Sequence, residues 1–392
     1  MLPFIQENIL LWHYLKTTDK PVVLYGTGDG ADKVIARLAA ENVAIAGVFA
    51  SDEFVRGQKF CGHTVRKYSE LMSAKTQLIV LICFASERPE QLERFYRLAQ
   101  AQETYAPHVP VFAGDAVTDF AWLAAHEREI QSVYDRLADD VSREVFAAVM
   151  NYRVSGKMAY LRECTTNRAE DMDSLFTFGM TETYVDTGAF TGDTVEEFLR
   201  LTDGNYKKIF AVEPDPKNFA KLTAYIRNRR LDKIEIIQAG AWNSSGSMVL
   251  KGNGGRQSTL YNPTEGPIHF ETTPQGQKSE MVNRSWAVSA KSKAVKKQKV
   301  RIRTLDSVLG DIHADYIKFD VEGVEKEAIE GLEKHLIPDT NGVLPKLLIA
   351  AYHHDEDIFA LPLLLWKIQP EYKIFLRKHP YIPAWEINIF AK

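Results

Sequence analysis

Apolar residues along the chain follow two patterns: short β-branched runs that end in glycines or acids, and longer stretches with apolar positions three or four apart. The first is the pattern of buried parallel strands, the second that of amphipathic helices. The run Pro21–Tyr25 is followed by the turn Gly26-Thr27-Gly28-Asp29-Gly30 and a helical stretch, Ala31–Ala40. Val43–Phe49 and Leu78–Phe84 are further strands, the latter leading into a helix over Pro89–Leu98. The alternation predicts a small, parallel, Rossmann-like α/β domain within residues 1–115. Over 116–175 apolar residues recur at helical spacing (Phe120, Leu123, Ile130, Val133, Leu137, Val141, Val145, Met150), which predicts linking helices, with the next domain starting between Arg168 and Thr181.

From 176 to 392 the alternation resumes, with strands at Tyr184–Asp186, Lys208–Val212, Ile234–Ala239, Tyr316–Asp320, Leu347–Tyr352, Tyr372–Leu376 and Glu386–Phe390. Helices follow the first, second, fourth and fifth. The last two strands are joined only by a short loop holding Pro380 and Pro383, too short for a crossover, so they should pair as an antiparallel hairpin. The segment 261–299 breaks the pattern; it is polar and ends in a lysine-rich run. A solvated, mobile surface insertion is its plain reading, a basic flap over an anionic substrate the sharper one.

Composition narrows the class. The 392 residues, 45% of them hydrophobic, suffice for two cores, and a net charge of −4 argues against a general nucleic-acid binder. Three cysteines with no Cys-x-x-Cys pair suggest neither a disulfide framework nor a zinc site. No basic leader precedes an apolar run and no run reaches membrane-spanning length, so a cytoplasmic protein is expected, its first residues forming an amphipathic helix.

The candidate chemistry lies at strand ends. In Asp186-x-Gly188-x-x-x-Gly192 a strand ends in an acid and turns through glycines into a helix, where free N–H groups suit a carboxylate and Asp186 an ammonium. An amino-acid tail fits such a turn better than a pyrophosphate. Glu213 ends the next strand, where an acid accepts both ribose hydroxyls, while Asp215 before Pro216 suits a helix cap. Ala239-Gly240-Ala241 leaves room for a flat base, with Trp242 or the Asn243 amide beside it. Asp320 and Glu322 can point into one crevice; Glu325 and Glu327 read as first-turn acids complementing a helix dipole. Of His353 and His354, His353 is expected to face the cleft and to act as general base for a hydroxyl. A His-Asp metal site competes, but local spacing offers too few ligands for a first-row metal, so none is expected.

The stretches YVDTGAFTGDT, IFAVEPDP, TLDSVL, DYIKFDVEGVEKEAIEGL and LLIAAYHHDEDI, with the closing YKIFLRKH and WEINIFA, together resemble the FkbM-type methyltransferase family over residues 183–391. The resemblance implies a class I methyltransferase sheet of seven strands with a reversed last strand, binding S-adenosyl-L-methionine and methylating a hydroxyl, often on a sugar. It implies that Asp186, Gly188 and Gly192 hold the methionine end, Glu213 the ribose, and that Asp320 and Glu322 lie near the methyl. Two departures are the absence of an acid at Ala239–Asn243 and the length of the 261–299 segment. At the N-terminus, Gly26, Gly28 and Gly30 with Asp52 form a possible second nucleotide site, which leaves an NAD(P)-dependent oxidoreductase or a nucleotide-sugar-binding protein as the alternative. A ligand-binding role without catalysis is a third reading.

Overall fold

In the computed structural model, which describes residues 2–112, 115–252, 259–261 and 296–392, two α/β units share a helical core. After a short helix α1 (Leu11–Thr17) come β1 (Val22–Tyr25), α2 (Asp29–Ala40), β2 (Ile45–Ala50), β3 (Lys59–Phe60), β4 (His63–Lys67), α3 (Tyr68–Met72), β5 (Ile79–Ile82), α4 (Pro89–Ala101) and β6 (Glu103–Tyr105). These strands form a sheet of order β3-β4-β2-β1-β5-β6, parallel apart from the β3–β4 pair. Both β1 and β5 are buried at every position, as strands covered on two faces must be. The short strands β3, β4 and β6 lack such apolar runs and escape the sequence pattern.

Five helices follow: α5 (Phe120–Ala125), α6 (Glu127–Arg136), α7 (Asp140–Ser155), α8 (Met158–Glu163) and α9 (Arg168–Leu175). They are more than a tether. One apolar cluster runs from Tyr25 and Val80 through Phe146 and Val149 to Ile349 and Leu376, so burial on α7 serves both units. Buried Arg377 adds polar ties, its guanidinium 2.6 Å from Asp139 and 3.0 Å from Asp171.

The second unit holds β7 (Thr183–Thr187), α10 (Asp193–Leu201), β8 (Lys208–Val212), α11 (Pro216–Arg229), β9 (Ile234–Ile237), β10 (Gly240–Ala241), β11 (Gly246–Gly252), β12 (Thr259–Tyr261), β13 (Lys296–Arg303) and α12 (Leu305–Leu309). It ends with β14 (Tyr316–Phe319), α13 (Glu325–Glu330), β15 (Lys346–Ala350), α14 (Asp357–Ile368), β16 (Ile374–Lys378) and β17 (Ile387–Ala391). The seven-stranded sheet has the order β16-β17-β15-β14-β7-β8-β9, and β17 is antiparallel to both its neighbours, the expected closing hairpin. Because β7 has β8 on one side and β14 on the other, the chain reverses direction across the sheet there. A crevice opens beyond the strand ends at such a switch point.

A four-stranded sheet, β10-β13-β11-β12, was not expected. The end of the lysine-rich run lies in it: Lys299 and Arg301 are exposed while Val300 and Ile302 are buried, a period-two alternation masked by the density of charge. The rest of the expected insertion, 262–295, lies outside the described residues. Among the described residues no helix is long and apolar enough to cross a membrane.

Candidate active site

Parallel register sets Thr187 beside Phe319 on one side and Val212 on the other, so Gly188, Asp320 and Glu213 emerge together at the switch point. Gly188 has φ +80°, and a Cβ on it would overlap the carbonyl oxygen of Asp320, far inside the 3.0 Å that real Cβ atoms keep. Only glycine lets β7 and β14 end this close together. A cleft of about 1220 Å³ lies over this junction, and Gly188, Phe190, Asp193, Thr194 and Glu213 line it. Gly192 does not; its Cα packs under the Tyr225 ring at the start of α10.

Asp186 lies beneath the cleft rather than in it. Its carboxylate accepts from Thr194 Oγ1 at 2.5 Å and lies 3.5 Å from Lys318 Nζ. Asp186 and Lys318 are register partners on adjacent strands, so both side chains leave the same face of the sheet. The ammonium that Asp186 binds is therefore internal. Burial raises the Asp186 pKa, against the pull of Lys318 and Thr194. For Lys318 burial acts downward, but Asp186, Asp320 and Asp193 outweigh it and its pKa is raised.

Glu213 is 5% exposed, and its two oxygens accept from Phe190 N at 2.9 Å and Asp215 N at 2.8 Å. Burial pushes its pKa up to about 7 despite these bonds. A carboxylate has about four acceptor sites, so some capacity remains for a ligand beyond these bonds and that of the Asn218 side chain. Asp215 caps α11 through Lys217 N and Asn218 N. Farther along, Ala239, Gly240, Ala241 and Leu260 form a small, apolar wall. Asn243 is turned out of it: the chain leaves the main sheet at β10, and the Asn243 amide is exposed and bonds Glu330 at 2.9 Å.

On the other side of Gly188 lies a cluster of acids around one histidine. Glu325, 1% exposed, accepts from Val321 N at 2.9 Å and Gly323 N at 3.1 Å, and its Oε1 is 3.0 Å from His353 Nδ1. Glu325 is thus a first-turn acid of α13, as expected, but a buried one that also faces His353. His353 Nε2 lies 3.7 Å from Glu322 and 3.9 Å from Asp320, both of which are partly exposed to the cleft. Burial disfavours the imidazolium, yet Glu325, Asp320 and Glu322 overcome this and hold the His353 pKa up at about 10. To act as the expected base, His353 would first have to give up that proton. Burial chiefly, with Asp320 and Glu325, raises Glu322 to about 8. His354 points away to Asp115, 2.9 Å from its Nδ1.

Sequence comparison identifies this half. Residues 186–366 match the family described as Methyltransferase FkbM domain. They form an FkbM methyltransferase domain. Among solved structures, the methyltransferase FkbM from Methylobacillus flagellatus KT matches 95% of this chain and 90% of that one, with a TM-score of 0.65 at 19% identity. That likeness is one of fold, and it takes in the N-terminal sheet as well. An rRNA methylase from Streptococcus thermophilus matches 57% of this chain and 92% of its own (12% identity, TM-score 0.31). A precorrin-6y C5,15-methyltransferase from Geobacter metallireducens GS-15 matches 57% and 85% (11% identity, TM-score 0.32). A comparison with curated proteins gives no match.

The FkbM domain does not build its cleft alone. Lys33, Val111 and Phe112 come from the N-terminal unit, and the Phe112 ring lies 5.2 Å from that of His354 and blocks any side chain at Gly323. The N-terminal glycine turn is occupied by packing. A Cβ on Gly30 would overlap Cys83 O, and one on Gly26 would meet the Phe84 ring, so both glycines serve close packing. Gly28 is unobstructed, and Asp52 accepts from Ser69 N at 3.0 Å. Lys318, Glu325, Phe112 and the loop bearing Tyr381 and Trp385 line or support the cleft without having been singled out for it. Of these only Lys318 left a signal, a charge inside an otherwise apolar strand.

Proposed function

We propose that the FkbM domain binds S-adenosyl-L-methionine across the switch point and transfers its methyl group to a hydroxyl of a small molecule, a sugar or a related polyol. The observation that carries this is Glu213: a carboxylate fixed by the amides of Phe190 and Asp215, at the strand end beside Gly188 and facing the cleft. The ribose hydroxyls would donate to Glu213, the adenine would lie on Ala239–Ala241 and Leu260, and the amino-acid end would sit by Gly188 and the first turn of α10. The sulfonium would then lie near Asp320. Transfer needs little covalent help, since the sulfonium carries a good leaving group and positioning dominates. Asp320 and Glu322, partly exposed to the cleft, orient the acceptor hydroxyl and take its proton. The Tyr381 and Trp385 rings, 5.4 Å apart, line the acceptor side and offer faces for the C–H surface of a sugar.

Isothermal titration with S-adenosylhomocysteine, followed by transfer of labelled methyl groups to a panel of polyols, tests this reading; no binding at pH 8 would sink it. The titration should also depend on pH. A raised carboxylate pKa means that Glu213 adds stability fully below its unfolded value, lost as pH rises through about 7. Ribose hydroxyls favour the ionised form, so affinity should climb with pH through the same window and then level off. At pH 6 it is expected to lie about tenfold under the plateau. A flat profile from pH 6 to 8 would remove Glu213 from the ribose site.

A further inference from the structure

We propose that Asp320, Glu325 and His353 form a binding site for a divalent cation such as Mn²⁺ or Mg²⁺, placed to hold the acceptor hydroxyl beside the methyl donor. The inference rests on the methyltransferase reading only for the cation's role, not for its binding. Ligating atoms of the three residues all lie within 4.8 Å of one another. An octahedral ion with bonds of about 2.1 Å separates neighbouring donors by about 3.0 Å and opposite ones by about 4.2 Å, so Asp320, 3.9 Å from Nε2, would swing toward Nδ1 to join the ion. His353 Nδ1 and Glu325 Oε1 are 3.0 Å apart.

The second observation concerns His353 itself. Its side chain is 2% exposed, yet Nδ1 makes no hydrogen bond, although it sits at ion-pair distance from Glu325. A buried ring nitrogen placed so, with the nearest carboxylate already oriented by the N–H groups of Val321 and Gly323, is arranged as a ligand is. The Tyr352 ring at 4.3 Å and the Phe112 ring at 6.4 Å from the imidazole fix its plane. Two carboxylates and one imidazole suit a hard or borderline divalent ion, and three protein ligands leave positions for water or substrate.

Those positions face the cleft, since Asp320 is 37% exposed while His353 and Glu325 close the back of the site. A bound acceptor hydroxyl would be acidified by the ion. Its proton passes to Glu322, the cleft carboxylate left outside the three ligands. The oxygen then forms the new O–CH₃ bond as the C–S bond breaks, and that electron pair stays on sulfur.

The test uses the full chain, treated with EDTA and desalted, and titrated with Mn²⁺ while electron paramagnetic resonance reads the free ion. One Mn²⁺ per chain is expected, displaced by Mg²⁺, with affinity reduced at least tenfold in Asp320→Asn and in Glu325→Gln. S-adenosylhomocysteine binding to the same samples, followed by titration, checks that each variant is folded and reports on the donor site separately. No uptake of Mn²⁺ by protein that binds S-adenosylhomocysteine would overturn the site while leaving the donor reading intact. Uptake unchanged in both variants would overturn it too, by placing the ion elsewhere. Uptake lost in the variants, with no S-adenosylhomocysteine bound by the unaltered chain, would support the metal site and remove its catalytic role.

Discussion

Replacing Glu213 by alanine is expected to weaken S-adenosylhomocysteine binding by about 100-fold at pH 8, on the order of 3 kcal/mol, because hydrogen bonds to an ionised group contribute about 1.5–3 kcal/mol each. Two effects add. The ribose loses its acceptors, and Phe190 N and Asp215 N lose theirs, so the loop that lines the donor site is no longer pinned to β8. Glu213→Gln separates them: its amide oxygen keeps one backbone bond, but its NH₂ opposes the other donor and one hydroxyl. An intermediate loss, about tenfold, is expected there. Titration calorimetry on both variants checks the order; equal affinity in Glu213→Ala and the unaltered chain would refute the assignment.

The second large effect is on stability. Gly188→Ala combines a positive φ with a Cβ that overlaps the Asp320 carbonyl, and neither strand end can yield without breaking the β7–β14 junction. Left-handed strain costs about 1–2 kcal/mol and overpacking about 1–3 kcal/mol, so a loss of about 3 kcal/mol is expected. Gly204→Ala is the control. Its φ is +76°, but nothing lies within 4 Å of its added Cβ, so only the strain term of about 1 kcal/mol applies. Urea unfolding of the two variants distinguishes them; equal midpoints would mean that the close approach at Gly188 carries no cost.

Much of this molecule was legible before folding was considered. All seven strands of the main sheet appear as short apolar runs, most because strands buried on both faces need no polar alternation, while the edge strand β9 keeps an exposed Glu235. The hairpin followed from a loop too short to cross over. The small sheet β10-β13-β11-β12 was missed because its strands are short, or buried in a lysine-rich stretch whose alternation only packing discloses. In the site, Gly188 and Glu213 were visible because each ends a strand at a fixed distance from the next. Asp186, Asn243 and His353 were visible as residues near strand ends, but the groups that the fold sets beside them were not. Whether a strand-end side chain meets solvent, ligand or another charge depends on what lies opposite, and that partner is remote in sequence.

The sequence by itself determined the order of the main-sheet strands, the glycine turn after β7, the acid after β8 and the family of residues 186–366, since these rest on local pattern and spacing. Tertiary structure alone decided that Asp186 serves Lys318, that Glu325 lies against His353 and raises its pKa, and that Phe112 from the other unit walls the cleft. Charges and rings separated by many residues interact only once register and packing bring them within a few ångströms. At that distance burial and neighbouring carboxylates, rather than residue type, set what each group can do.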